Sequence, residues 1–192
     1  METALLTGLG LAAPAGLNAY LPLLILALSA RFSDKVRLNP PYDVLASWPV
    51  IIVLVILLTI EVVVDKIPGL DHVNDLIQTV IRPAAGAILM LAATGVVGLS
   101  PAIAIVVGLL AAGSVHAAKA TARPAVTLGT AGMFNPIVSV GEDAAAAIAS
   151  VIAIFAPLLV LVVLALFVIF VLWAMFRRRG ASTAPSAPDR GY

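Results

Sequence analysis

Residues 48–65 read WPVIIVLVILLTIEVVVD. From Trp48 to Ile60 there is no charge, and Thr59 supplies the one hydroxyl. A helix over Trp48–Val64, rising about 1.5 Å per residue, covers most of a hydrocarbon core about 30 Å thick. Glu61 then lies roughly 20 Å up from Trp48, still at hydrocarbon depth. A charge there costs about 2.5–3.5 kcal/mol even on the lenient insertion scale. Asp65 follows four residues later and so shares its helical face. The stretch describes a chain built for lipid, and a carboxylate that has to turn inward and find a partner.

The composition agrees. Of 192 residues, 62% are hydrophobic and 11% charged, against about 45–50% and about 25% in soluble domains. A soluble fold of this size cannot hide so much apolar surface. The absence of cysteine removes disulfides, thiolate nucleophiles and thiolate metal sites. A net charge of +1 offers nothing to nucleic acid. The expected architecture is all-α, a polytopic transmembrane helical bundle of about five spans forming one domain over 1–179. The Ala-, Ser- and Pro-rich stretch 180–192 reads as a disordered cytoplasmic tail.

The five apolar stretches run from about Leu5 to Ala30, Trp48 to Val64, Pro83 to Leu99, Ala102 to Ala122, and Ala144 to Phe176. The first is too long, and its flank too acidic at Glu2, for a signal peptide. It is also broken, with Pro14, Gly16 and Asn18 close to mid-membrane and Pro22 following. Gly98-Leu99-Ser100-Pro101 joins the third and fourth as a tight antiparallel hairpin. The fifth exceeds the bilayer and must tilt, kink at Pro157 or begin above it. Between Asp71, a good N-cap, and Ile81, the spacing predicts a short amphipathic helix lying on the membrane surface. Within 124–140, Gly129, Gly132, Asn135 and Pro136 interrupt an apolar run and suit a re-entrant segment. The two broken stretches are faintly alike, Ala15-Gly16-Leu17-Asn18 beside Ala131-Gly132-Met133-Phe134-Asn135-Pro136, as a duplicated half would be. Gly and Pro are also common in membrane helices, where they allow kinks and close packing.

Orientation rests on Lys and Arg in short loops. Arg31, Lys35, Arg37 and Arg177-Arg178-Arg179 favour one face as cytoplasmic, with Trp48 and Trp173 at its interface. Lys66, Arg82, Lys119 and Arg123 fall on the other. An odd number of spans then places the N-terminus outside and the C-terminus inside.

The charges in the membrane have a layout. His116, Lys119 and Arg123 form one stripe on the fourth span, with His116 roughly 24 Å above Ser100. The Glu61–Asp65 stripe reaches similar depth, so the two should face each other inside the bundle. One reading is a structural ion-pair network that sets helix register. The other is an outward-opening polar cavity or proton relay, with His116 as the group that titrates near neutral pH. Broken helices whose ends and freed carbonyls face an ion are a transporter device. Glu142-Asp143 reads as a favourable charge at the start of the fifth span. One His among carboxylates is a poor metal set, His72 and His116 are poor haem ligands, and no cofactor is expected. There is no phosphate-binding loop, nucleophile elbow or His-Glu-x-x-His motif.

AGLNAYLPL (15–23), and Glu61 followed by DKIPGLDH (65–72), resemble a bacterial family of integral membrane proteins catalogued as a domain of unknown function. The similarity takes in Ile81-Arg82-Pro83 with Gly86, the His116–Lys119–Arg123 segment and Asn135-Pro136, about residues 5 to 176. It implies a bacterial inner-membrane protein and brings no substrate, cofactor or reaction. The leading expectation is a small transporter or channel whose pathway is lined by Asn18, Tyr20, Glu61, Asp65, Arg82, His116, Lys119, Arg123 and Asn135. Glu61 and Asp65 would counter Lys119 and Arg123. The expected partners are membrane lipids, a small anionic solute or lipid phosphate, and further copies of the chain packed through Gly- and Ala-rich faces. The alternative is a scaffold or accessory subunit without transport. A third reading, an enzyme acting on lipid headgroups, would use Asp71, His72 and Asp75.

Overall fold

Within lipid, backbone N–H and C=O groups have no water to bond, so each segment must satisfy its own. Among the described residues all regular structure is accordingly helical. The structure, a computed structural model, describes residues 2–64, 70–95, 98–166 and 169. The helices are α1 (Glu2–Ala15), α2 (Tyr20–Phe32), α3 (Trp48–Val64), α4 (Leu70–Thr94), α5 (Pro101–Thr130) and α6 (Asn135–Phe155), with a 3-10 turn at Tyr42–Ala46. A further apolar helix, Pro157–Leu166, follows. The chain divides into two units, 1–160 and 161–192; the second is described only at 161–166 and 169, which are helical and exposed. Trp173, Arg177 to Arg179 and the stretch expected as a disordered tail lie outside the described residues.

Leu76–Thr94, Pro101–Thr130 and Asn135–Phe155 are long and apolar enough to cross a bilayer, and Tyr20–Phe32 and Trp48–Val64 are shorter apolar helices. The chain is an all-helical, polytopic membrane protein. On α3 the side chains of Ile52, Val53, Val55, Ile56, Ile60 and Val63 are about half exposed, while Glu61 is 2% exposed. That inversion of the soluble pattern is what a lipid-facing helix requires.

The first apolar stretch is broken where expected, but there the chain reverses. Gly16 N–H bonds Ala13 O at 3.0 Å and Leu17 N–H bonds Pro14 O at 2.9 Å, closing the last turn of α1. Asn18 Oδ1 then accepts the N–H groups of Tyr20 at 3.1 Å and Leu21 at 2.9 Å, capping the first turn of α2. Thr3 and Thr7, early in α1, line one cleft with Leu26, midway along α2, and with residues 35–38 beyond its end. The open ends of this α1–α2 hairpin therefore lie together, at the end of the bundle that holds the 33–47 loop. The sequence reading carries the chain across at this point. The structure instead returns it to the side from which it came.

Small residues seat the hairpin. Gly8 rests on Met90 and Ala93 of α4, Gly10 on Ala153 of α6, and Gly16 on the backbone of α5 at Ala112 and His116. An added Cβ at Gly16 would collide with the Ala112 carbonyl oxygen. Gly10 also faces Val160. An unbroken helix would set Ala153 and Val160 about 10 Å apart, so the chain bends sharply at Ala156-Pro157, where α6 ends.

The surface helix expected over 71–81 and the third span are one helix. The 25 residues of α4 run straight through Pro83. It packs antiparallel to α5, as the short Gly98–Pro101 connection predicts. Gly86 and Gly108 bring the two backbones into contact, and a methyl on Gly108 would meet the Gly86 carbonyl oxygen and come within 2.7 Å of Ala87 Cα. The segment 124–140 is the end of α5, a turn at 131–134 and the start of α6. The two stretches that look alike in sequence thus differ in form, one a reversal seated against α5, the other a turn at the end of a helix pair.

Gly108→Ala should separate α4 from α5 and cost about 1–3 kcal/mol, as overpacking does, read as a lower melting temperature in detergent. Because the chain has no cysteine, single substitutions report sidedness. Thr3→Cys and Asp34→Cys should react with a membrane-impermeant maleimide from the same side, and Gly129→Cys from the opposite one.

Candidate functional site

The hairpin tip reaches the depth at which α3, α4 and α5 carry their charged residues. Arg82, on α4, is 0% exposed. Its Nη2 donates to Glu61 Oε1 of α3 at 3.1 Å, and its Nη1 lies 2.9 Å from His116 Nδ1 of α5. A guanidinium can only donate, so Nδ1 is the acceptor and the imidazole proton sits on Nε2. That nitrogen is 3.1 Å from Thr79 Oγ1, one turn before Arg82 on α4. The Arg82 contact thus selects the tautomer of His116 that carries its proton on Nε2. The phenol of Tyr20, in the first turn of α2, stands beside Gln78, Glu61 and Arg82. Gln78 is 2% exposed, and its Oε1 has no hydrogen-bond partner among the described residues.

A second cluster continues one turn along α5. Lys119, three residues after His116, is buried on the same face; its Nζ lies 2.8 Å from Glu142 Oε2 of α6 and donates to the Leu17 carbonyl at 3.0 Å. Arg123 Nη2 reaches the same Glu142 oxygen at 3.3 Å. Asn18 Nδ2 donates to Asp143 Oδ1 at 2.9 Å. The hairpin tip is therefore held to α5 through a backbone carbonyl and to α6 through an amide. Among the described residues the carboxylates Glu61, Glu142 and Asp143 lie among the cations Arg82, Lys119 and Arg123. Pairing of this kind offsets the cost of placing charge away from water.

Of the residues expected to line a pathway, the structure brings together Asn18, Tyr20, Glu61, Arg82, His116, Lys119 and Arg123, with different pairings. Glu61 meets Arg82 rather than Lys119 and Arg123, because α4 continues through Pro83. Arg82 therefore lies within a continuous helix, roughly 18 Å along its axis from Thr94. Lys119 and Arg123 turn to Glu142 instead. Asn135 joins neither cluster: its side chain bonds Thr127 at 3.1 Å across the α5–α6 turn. Asp65 lies outside the described residues, as do the side chains of Asp71, His72 and Asp75.

Sequence reasoning missed Thr79, Gln78, Glu142 and Asp143 as members of the site. Glu142-Asp143 reads as a helix start, yet α6 begins at Asn135 with Pro136 in its first turn, a strong N-terminal signal. Taking that signal would have set both acids two turns inside the helix. Among the described residues no group of three or more His, Asp or Glu is arranged to hold a metal ion.

Arg82→Met leaves Glu61 buried without its cation and should cost about 3–5 kcal/mol. The double variant Glu61→Met/Arg82→Met should recover most of that loss. The remainder is the His116 Nδ1 acceptor stripped of its donor, about 1–3 kcal/mol, and a thermal double-mutant cycle in detergent resolves the two parts.

No curated protein and no solved structure matches this chain. A family model does match, over residues 5–177, from the start of α1 to beyond α6. By that match, which covers both charged clusters and the hairpin that separates them from the loop end, the chain belongs to the family described as Domain of unknown function (DUF4126).

Proposed function

We propose that this protein is a small membrane carrier that takes up an anion together with a proton. The observation that carries the reading is that Lys119 and Arg123 both reach the same oxygen of Glu142, beside the tip of the hairpin. The Glu142 side chain is 15% exposed, against 1% for Glu61, so it is the more accessible of the two acids. Protonating Glu142 removes its charge and weakens its hold on Lys119 and Arg123, the cations beside which an anion would bind. One proton and one anion entering together leave the net charge of the buried set unchanged, which a low-dielectric interior favours. Lys119 also holds the Leu17 carbonyl, so a change of partner at Lys119 is felt directly by the hairpin. The Glu61–Arg82–His116–Thr79 chain lies on the loop side of that point and keeps it closed. Asn18 and Tyr20 bracket the tip, and Asp65 and Asn135 stay candidates for the outer approach.

By the positive-inside rule, Arg31, Lys35 and Arg37 assign the loop end to the cytoplasm of a bacterial inner membrane. In the hairpin arrangement the N-terminus joins them there, rather than standing outside as the span count alone suggests.

A structural reading is favoured by the closure of the same clusters. Asn18 is 1% exposed and Arg82 fully buried, as in a scaffold or accessory subunit whose ion pairs lock α3, α4 and α5 together.

Proteoliposomes loaded with a pH-sensitive dye separate the two. Inward gradients of chloride, nitrate and phosphate should, for at least one anion, acidify the lumen above protein-free vesicles, and Glu142→Gln should abolish that coupling while the protein stays folded. No anion-dependent acidification above control vesicles favours the scaffold. Equal acidification by Glu142→Gln removes Glu142 from the mechanism.

A further inference from the structure

Between the open legs of the α1–α2 hairpin lies a cleft of about 250 Å³ that plays no part in the function proposed above. Its lining divides by chemistry. Lys35 and Arg37, from the loop after α2, bring two cations, and Thr3 and Thr7, one turn apart on α1, bring two hydroxyls. Leu26, Ala93 and Ile154, from α2, α4 and α6, form an apolar floor, and no acid is among the described residues that line it. Its depth is marked independently. Trp48 stands at this end of the bundle, with the Arg31 guanidinium 4.5 Å from its ring centroid and Phe32 packed edge-on at 6.1 Å. Tryptophan is enriched at headgroup level in membrane proteins. The cationic side of the cleft therefore lies where lipid phosphates are, and its apolar side where acyl chains begin.

We propose that this cleft binds an anionic phospholipid, its phosphate between Lys35 and Arg37 and the Thr3 and Thr7 hydroxyls, and its first acyl carbons over Leu26, Ala93 and Ile154. Charge complementarity names the headgroup. The amphipathic split names a lipid rather than a soluble anion, for which the apolar floor has no use. Position gives the lipid a role. It touches α1, the segment after α2, α4 and α6 at once, and so ties the legs of the hairpin to the rest of the bundle. Lys35 and Arg37 are exposed, so they can be changed without opening the core.

The test uses the full chain in a non-ionic detergent, with the melting temperature read against added dioleoyl phosphatidylglycerol, dioleoyl phosphatidylcholine or inorganic phosphate. Phosphatidylglycerol should raise the melting temperature and phosphatidylcholine should not. Lys35→Gln/Arg37→Gln should need about thirtyfold more phosphatidylglycerol for the same shift, the loss of two cations near an anionic headgroup. Thr7→Val, which keeps shape and removes a hydroxyl, should weaken the response severalfold and so separates the cleft from general surface charge. The proposal is overturned by an equal response to the two lipids, by an undiminished response in the double variant, or by inorganic phosphate reproducing the shift, which would make the ligand a solute.

Discussion

Arg82 is the residue on which the bundle depends. A guanidinium does not give up its proton at any ordinary pH, so a fully buried one must be met by acceptors already in place. Here they come from two other helices, the Glu61 carboxylate on α3 and His116 Nδ1 on α5. Satisfying Arg82 therefore fixes the relative height of three helices within the reach of a hydrogen bond, which apolar packing against lipid does not do. Membrane helices gain no hydrophobic free energy by associating, because lipid tails are as apolar as leucine. Packing and polar contacts have to hold them. Gly86 and Gly108 bring α4 and α5 close enough for the short bonds at Arg82 to form.

The hairpin depends on the same centre. A reversal in the chain leaves peptide groups that no helix satisfies, and lipid cannot serve them. The tip answers each need from within: Asn18 caps α2, Lys119 takes the Leu17 carbonyl, and Asp143 takes the Asn18 amide. Gly16 lets the tip lie directly on the backbone of α5. The polar groups that make the reversal possible are thus the ones that place titratable side chains beside it. Structural need and chemical opportunity coincide at Lys119 and Glu142.

Much of this is legible without coordinates, and the residues show why the rest is not. The run from Trp48 to Ile60 sets a lipid-crossing helix with Glu61 turned inward, and Glu61 is buried. His116 and Lys119, three apart, share an inner face as their spacing requires. Their partners did not follow. Pro83 after Arg82 resembles a helix boundary, since proline removes a hydrogen bond and restricts the residue before it. In a packed membrane helix that loss is tolerated, α4 continues, and Arg82 is carried to the centre. Pro14, Gly16 and Asn18 mark a break, but the same residues serve a kink that continues and a turn that reverses.

The sequence by itself determined that this protein lives in lipid, that its regular structure is helical, where its apolar segments lie and which charged side chains must turn inward. Those properties follow from run length and period, and from the solvation cost of a lone charge, all local to each segment. Only the tertiary structure decided that the first segment folds back, that Arg82 joins Glu61 and His116, and that Glu142 draws Lys119 and Arg123. Each of these is a choice among partners far apart in the chain. Close approach of backbones at glycine, and mutual neutralisation of buried charge, settle that choice only when all the helices are in place.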